Sequence, residues 1–128
     1  MNIAREAENY IKQYFKNKKN IELVKPNKGE IGFDFRNENY KIFVEVKGTS
    51  KSKLSDVMFR MFTNAEYEKA KECIRKKLVY EVHLVLGIGT KSIKHYHIPA
   101  KFFIEKAKPE VALYLPTTKE LEKFKLNY

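Results

Sequence analysis

Ile31-Gly32-Phe33-Asp34-Phe35 and, after a turn, Phe43-Val44-Glu45-Val46-Lys47-Gly48 are the stretches on which the reading of this chain depends. The first is a short apolar run carrying one acid, Asp34. The second alternates, so that on a strand Val44 and Val46 share one face while Glu45 and Lys47 share the other. Two valines side by side call for a core. Glu45 and Lys47 next to Asp34 would make a poor core, but they suit holding a hard divalent cation and a water beside a phosphodiester. Plainer roles fit the same residues: Asp34 as a turn cap, Glu45 and Lys47 as a solvated strand face, or Lys47 as the ion-pair partner of Asp34.

Outward from this pair, Asn37-Glu38-Asn39 reads as a hairpin turn, because Asn tolerates positive φ, between strands at Ile31–Phe35 and Tyr40–Lys47. A shorter strand at Ile21–Val24, closed by Pro26-Asn27-Lys28-Gly29, completes an antiparallel meander. Ahead of it, Ile3, Ala7, Tyr10, Ile11, Tyr14 and Phe15 recur at three- and four-residue steps, which predicts an amphipathic helix from 3 to about 16. Beyond it, Gly48–Ser55 is a polar, basic loop, and Val57–Phe62 alternates as a further short strand. Thr63-Asn64-Ala65-Glu66 is a capping box that makes Glu66 a helix cap. That helix runs to about Lys77, with Tyr67, Ala70, Cys73 and Ile74 on one face. Leu78–Ile88 and Ile93–Ile98 are strands, Pro99–Ile104 is a helical piece, Val111–Leu115 is a strand, and Thr117-Thr118-Lys119-Glu120 opens a last helix. The order, α-β-β-β-α-β with a small C-terminal β/α extension, predicts an α/β fold with a mixed sheet flanked by helices. No repeat or linker divides residues 1–128, so one domain is expected.

Composition narrows the function. The chain is 43% hydrophobic and 33% charged, which is globular rather than disordered. Its apolar runs are too short to span a bilayer, and the acids near Met1 do not suit a signal peptide. The single Cys73 rules out an internal disulfide and a cysteine-based zinc site. A cytoplasmic protein with no membrane partner is expected. Lys and Arg number 26 against 16 acids, a formal charge of +10, which favours a polyanionic partner. The abundance of Lys, Asn, Ile and Tyr is also what an AT-rich genome would encode. His95-Tyr96-His97 places two imidazoles on one strand face, a zinc-like pairing without a third ligand nearby, so a half-exposed strand is the better reading. Phe59, Phe62, Tyr67 and Tyr80 could stack bases, though packing accounts for such residues as well.

An acid ending the second strand and Glu-x-Lys on the third resemble the PD-(D/E)XK nucleases, the restriction-endonuclease-like superfamily. The residues that carry this likeness are Asp34 and Glu45-Val46-Lys47, with Phe33 where the name-giving proline would stand. A closer resemblance spans roughly residues 29 to 86. Gly32-Phe33-Asp34, Val44-Glu45-Val46-Lys47-Gly48-Thr49, Phe62 through Ala70, and Tyr80-Glu81-Val82-His83-Leu84-Val85 look like the domain at the C-terminus of the plant NO VEIN protein. That domain also occurs in prokaryotic restriction and helicase-associated proteins.

The resemblance implies a metal-dependent endonuclease, acting on DNA in restriction, defence or repair. Asp34, Glu45 and Lys47 would be catalytic. Asp34, Glu45 and the Val46 carbonyl would hold Mg²⁺, with Mn²⁺ as a substitute, and Glu8 of the first helix would complete the shell directly or through water. Attack would be in line and leave a 5′-phosphate. Lys28, Lys51 and Lys53 would hold the nucleic-acid backbone beside the cut. No helicase or methylase segment accompanies the site, so such a partner would be encoded separately. A homodimer is possible, with Val111–Leu115 as a pairing segment. A Holliday-junction resolvase of the same fold, and a nuclease-like module that binds nucleic acid or protein without cutting, are the competing expectations.

Overall fold

A computed structural model describes residues 2–53, 59–62, 64–106, 113–115 and 119–127, with only the backbone given at 59–62 and 113–115. It is a mixed α/β fold, a four-stranded mixed sheet flanked by helices. The strands are β1 (Phe35–Arg36), β2 (Ile42–Gly48), β4 (Val79–Leu86) and β5 (Lys94–Pro99), in the order β1-β2-β4-β5. β1 and β5 run antiparallel to their neighbours, while β2 and β4 are parallel. Parallel neighbours need a crossover, and α2 (Asn64–Arg75) supplies it between β2 and β4.

Period-two alternation divides the sheet into two cores. Val44, Val46 and Val85 face α1 (Ile3–Tyr14), whose Ala7 and Ile11 are fully buried against them together with Phe35. Burying Ile11 alone contributes about 1.5–3 kcal/mol. On the other face Phe43, Tyr80, Val82, Leu84, Leu86, Tyr96 and Ile98 pack with Ala70 and Cys73 of α2 and Phe102 and Phe103 of α3 (Ala100–Lys106). Asn2 caps α1, its side chain accepting from the Arg5 N–H at 3.0 Å. The helix passes at Phe15–Lys19 into a π-helical turn that stops at Asn20, φ 55°. Among the described residues no helix is long and apolar enough to cross a membrane.

Several elements differ from the sequence expectation. Ile21–Val24 forms no strand; only Val24 bridges to Arg36, in antiparallel sense. The strand expected over Ile31–Phe35 contracts to Phe35–Arg36, because Gly32, at φ 92°, turns the chain out of extended geometry. Asp34 therefore precedes β1 instead of closing a strand. The hairpin turn is where the sequence places it, but the positive φ falls on Tyr40, at 58°, not on an Asn. Asn37 Oδ1 accepts from the Lys41 and Ile42 N–H groups, both at 2.9 Å. The Tyr40 ring stacks on Arg36 at 3.9 Å and its hydroxyl donates to Glu30 at 2.7 Å, which offsets the strain. β3 (Phe59–Phe62) leaves the main sheet and pairs antiparallel with β6 (Leu113–Leu115), so the segment proposed for dimer pairing has a partner within the chain. A 3₁₀ turn at Lys119–Phe124 takes the place of the last helix. Val57, Thr63 of the capping box, Val111, and Pro116 to Thr118 lie outside the described residues.

Candidate metal and phosphodiester site

Asp34, Glu45 and Lys47 meet where β1 and β2 separate. The Asp34 N–H still donates to the Val44 carbonyl, at 2.8 Å. Two residues further along β2 the backbone partner is gone, and the Val46 N–H donates to Asp34 Oδ2 instead, at 2.8 Å. The Asp34 carboxylate thus replaces a ladder acceptor, bonding across to β2 rather than capping a turn. In a strand, a residue's N–H and C=O project to the same edge. The Val46 carbonyl is therefore on the Asp34 side, at the mouth of the fork.

Glu45 is only 5% exposed, and the Lys47 ammonium stands 3.5 Å from its Oε2. Lys47 stands beside Glu45, and its charge also acts on Asp34. Burial, then the Asp34 charge, drives the Glu45 carboxyl up to about 9 against the pull of Lys47. Burial also raises Asp34, despite the Val46 N–H, and the Glu8 charge adds to the rise. The two carboxyls hydrogen-bond, with the proton on Glu45. Two adjacent carboxyls that are both raised beside an ammonium form a site short of positive charge.

Close backbone contacts bring further acids to this fork. A Cβ on Gly48 would stand 2.4 Å from the Ala7 Cβ, so α1 lies directly on the end of β2. Glu8 follows Ala7 and pairs with Lys25. A Cβ on Gly32 would stand 2.5 Å from the Ala65 carbonyl, which sets the first turn of α2 against the segment leading to Asp34. The buried Tyr80 hydroxyl fixes that segment, donating to the Gly32 carbonyl at 2.8 Å. Glu66, read from sequence as a cap, sits in this turn, and its charge helps to raise Glu45. A signal for it exists: Glu66 falls on the helical stripe of Ala70 and Cys73, where an acid is out of place.

Lys51 and Lys53 are exposed on the segment that follows β2, which is pinned where the Lys51 carbonyl accepts from the Gly87 N–H at 2.8 Å. Lys28 is exposed in the turn before Gly32. Tyr80 is 2% exposed and packed, not available to stack on a base. A cleft of about 360 Å³ between Phe33 and Lys69 is not lined by Asp34, Glu45 or Lys47. No family model, curated protein or solved structure matches the chain.

The raised carboxyls have a consequence for stability. A carboxyl whose pKa is higher folded than unfolded stabilises the fold at low pH, and that contribution is lost as pH rises through the folded value. Glu30 and Glu81, both held at about 2, are ionised throughout the neutral range and add no slope there. Buried His83 and His95 are lowered, so their effect is confined below the ordinary histidine range. In EDTA, the melting temperature is therefore expected to fall between about pH 7 and pH 9. Millimolar Mg²⁺ or Mn²⁺ should flatten the fall by replacing the proton. A metal-independent, flat profile would show that the two carboxyls are not coupled.

Proposed function

We propose that this chain is a metal-dependent nuclease of the PD-(D/E)XK kind, hydrolysing phosphodiester bonds, with DNA as the substrate. The observation that carries the reading is the pairing of Asp34 with the buried Glu45, both carboxyls raised and the shared proton on Glu45, beside the Lys47 ammonium. This donor set fits a hard divalent cation: the Asp34 carboxylate just before β1, the Glu45 carboxylate of β2, the Val46 carbonyl on the same edge, and Glu8 close by. Mg²⁺, or Mn²⁺ in its place, would supply the positive charge that polarises a phosphoryl oxygen and acidifies an attacking water.

The chain's own groups have separate tasks. Asp34 is oriented by the Val46 N–H and Glu45 by Asp34 and Lys47, so neither carboxylate has to be ordered when substrate arrives. Lys47 positions the water or neutralises charge developing on the phosphate oxygens. Lys28, Lys51 and Lys53, together with the overall charge of +10, support backbone binding whose affinity falls with salt. A homodimer or a separately encoded helicase or methylase would provide targeting.

The test is cleavage of supercoiled plasmid, linear duplex, single strands and a four-way junction in Mg²⁺, Mn²⁺ or EDTA. Metal-dependent cutting that drops about 10²–10³-fold in Lys47→Ala is expected. Preference for the junction would assign a resolvase. Salt-sensitive binding without cutting, indifferent to EDTA, would leave a binding module and retire the nuclease reading.

A further inference from the structure

All three histidines of the chain gather on the sheet face opposite Glu45. Register partners share a face, and β2 sets Val44 beside Glu81 and Val46 beside His83. β5 in turn sets His97 directly across from His83. The His83 and His97 rings stack, 4° from parallel with centroids 5.0 Å apart. One carboxylate joins them: Glu81 Oε1 lies 2.8 Å from His83 Nε2, and Oε2 lies 3.0 Å from His97 Nε2. Behind them His83 Nδ1 meets His95 Nε2 at 2.7 Å. Tyr14 sits edge-on to His95 at 4.7 Å, and Phe15 to His83 at 5.2 Å, closing the cluster from the α1 side. The sequence alone shows only His95 and His97, the pair that lacks a third ligand; β4 supplies the rest.

We propose that Glu81, His83 and His97 bind one borderline divalent transition-metal ion, Zn²⁺ foremost, at a site separate from the Asp34–Glu45 fork.

Two imidazoles and a carboxylate suit Zn²⁺ and its late first-row neighbours rather than Mg²⁺. Three protein ligands leave a fourth position for water, and one candidate ligand atom from each residue lies within 4.8 Å of the others. Tetrahedral bonds of about 2.0–2.1 Å place donor atoms about 3.3–3.4 Å apart. The present Glu–His separations need to open by only about half an ångström. An entry route exists, because the His97 side chain is 32% exposed and that of Glu81 18%.

Proton placement is also compatible. Without metal, the contacts are satisfied with neutral rings when Glu81 accepts from Nε2–H of both His83 and His97 and His95 Nε2–H donates to a bare His83 Nδ1. A metal on the two Nε2 atoms moves the proton of His83 and that of His97 each to its own Nδ1; the His95 proton moves from Nε2 to Nδ1, and His83 Nδ1–H then donates to His95 Nε2. This last is the outer-shell hydrogen bond that orients a metal-bound imidazole. His83, His95 and His97 each keep one proton and change tautomer, so binding need not expel a buried charge.

The test is calorimetric titration of the untagged chain with Zn²⁺, together with visible absorption on adding Co²⁺. One equivalent and the intense bands of four-coordinate Co²⁺ are expected. His97→Ala and Glu81→Gln, both at partly exposed positions, should each weaken Zn²⁺ binding at least about tenfold. Glu45→Gln should leave it unchanged. Absence of saturable binding, wild-type affinity in both cluster variants, or loss of binding in Glu45→Gln would overturn the proposal. Because either cluster variant could fold poorly, the wild type carries a second readout. Nitrogen-resolved NMR should show His83 switching from the Nε2–H to the Nδ1–H tautomer on adding Zn²⁺, and an unchanged tautomer would equally overturn it.

Discussion

Glu45→Gln is expected to abolish metal-dependent cleavage and at the same time to stabilise the metal-free protein. Glu45 is 5% exposed and raised to about 9, with burial and the Asp34 charge as the leading causes. At neutral pH the fold therefore has to keep a proton on this side chain or tolerate two adjacent buried charges. A glutamine amide has nearly the same shape and donates to Asp34 as the protonated carboxyl does, with no proton to take up. The melting temperature of the EDTA-treated variant should rise, by about 4 °C for each kcal/mol gained in a chain of this size. Its fall between about pH 7 and pH 9 should also flatten. Cleavage should drop by about 10²–10³-fold or more, since the amide is a poor ligand for a hard cation and carries no charge. Paired thermal melts and plasmid-cleavage assays check both parts. A variant that is less stable than wild type at pH 8 would show that Glu45 is a structural ion-pair partner of Lys47. One that still cuts at the wild-type rate would remove Glu45 from the chemistry.

Gly48→Ala should destabilise the fold strongly, and Ala7→Gly should partly restore it. The new methyl would stand 2.4 Å from the Ala7 Cβ. Neither group can swing aside, because one belongs to a strand and the other to the first helical turns, so α1 itself must shift. Overpacking of this kind costs about 1–3 kcal/mol. Removing the Ala7 methyl relieves the contact at the cost of about 1 kcal/mol in helix propensity. The double variant should thus be more stable than the sum of the two single costs allows. Urea denaturation of the four proteins measures this coupling. Additive costs would mean that α1 and the end of β2 do not touch at this point. The same shift displaces Glu8, so Gly48→Ala should also weaken metal binding at the fork.

The glycine after Lys47 shows how far local reading reaches. Glu45-Val46-Lys47-Gly48 is visible as a pattern, and the alternation of Val44 and Val46 against Glu45 and Lys47 predicts which side chains share a face. Why a glycine must follow is not visible, because the reason is a helix some forty residues earlier in the chain. Glu66 illustrates the same limit. A capping box describes it adequately from neighbouring residues, and only the close approach of Ala65 to Gly32 brings its charge to Glu45. The Ile31–Phe35 strand fails for a local reason that composition conceals: Gly32 adopts a positive φ that the apolar run around it does not suggest.

By itself, the sequence determined the helix periodicity of α1 and α2, the alternation of β2, and the adjacency of Asp34 with Glu45 and Lys47 across one hairpin. All of these arise from interactions within a few residues, or from a turn that sets its own register. Tertiary structure decided the rest: the strand order β1-β2-β4-β5, the separate pairing of β3 with β6, and the charge of Glu66 at the fork. It also converted a His-x-His pair into a Glu-His-His cluster. Residues 81, 83 and 97 become neighbours only once β4 and β5 pair in one register, and a shift of one residue would turn His97 to the other face.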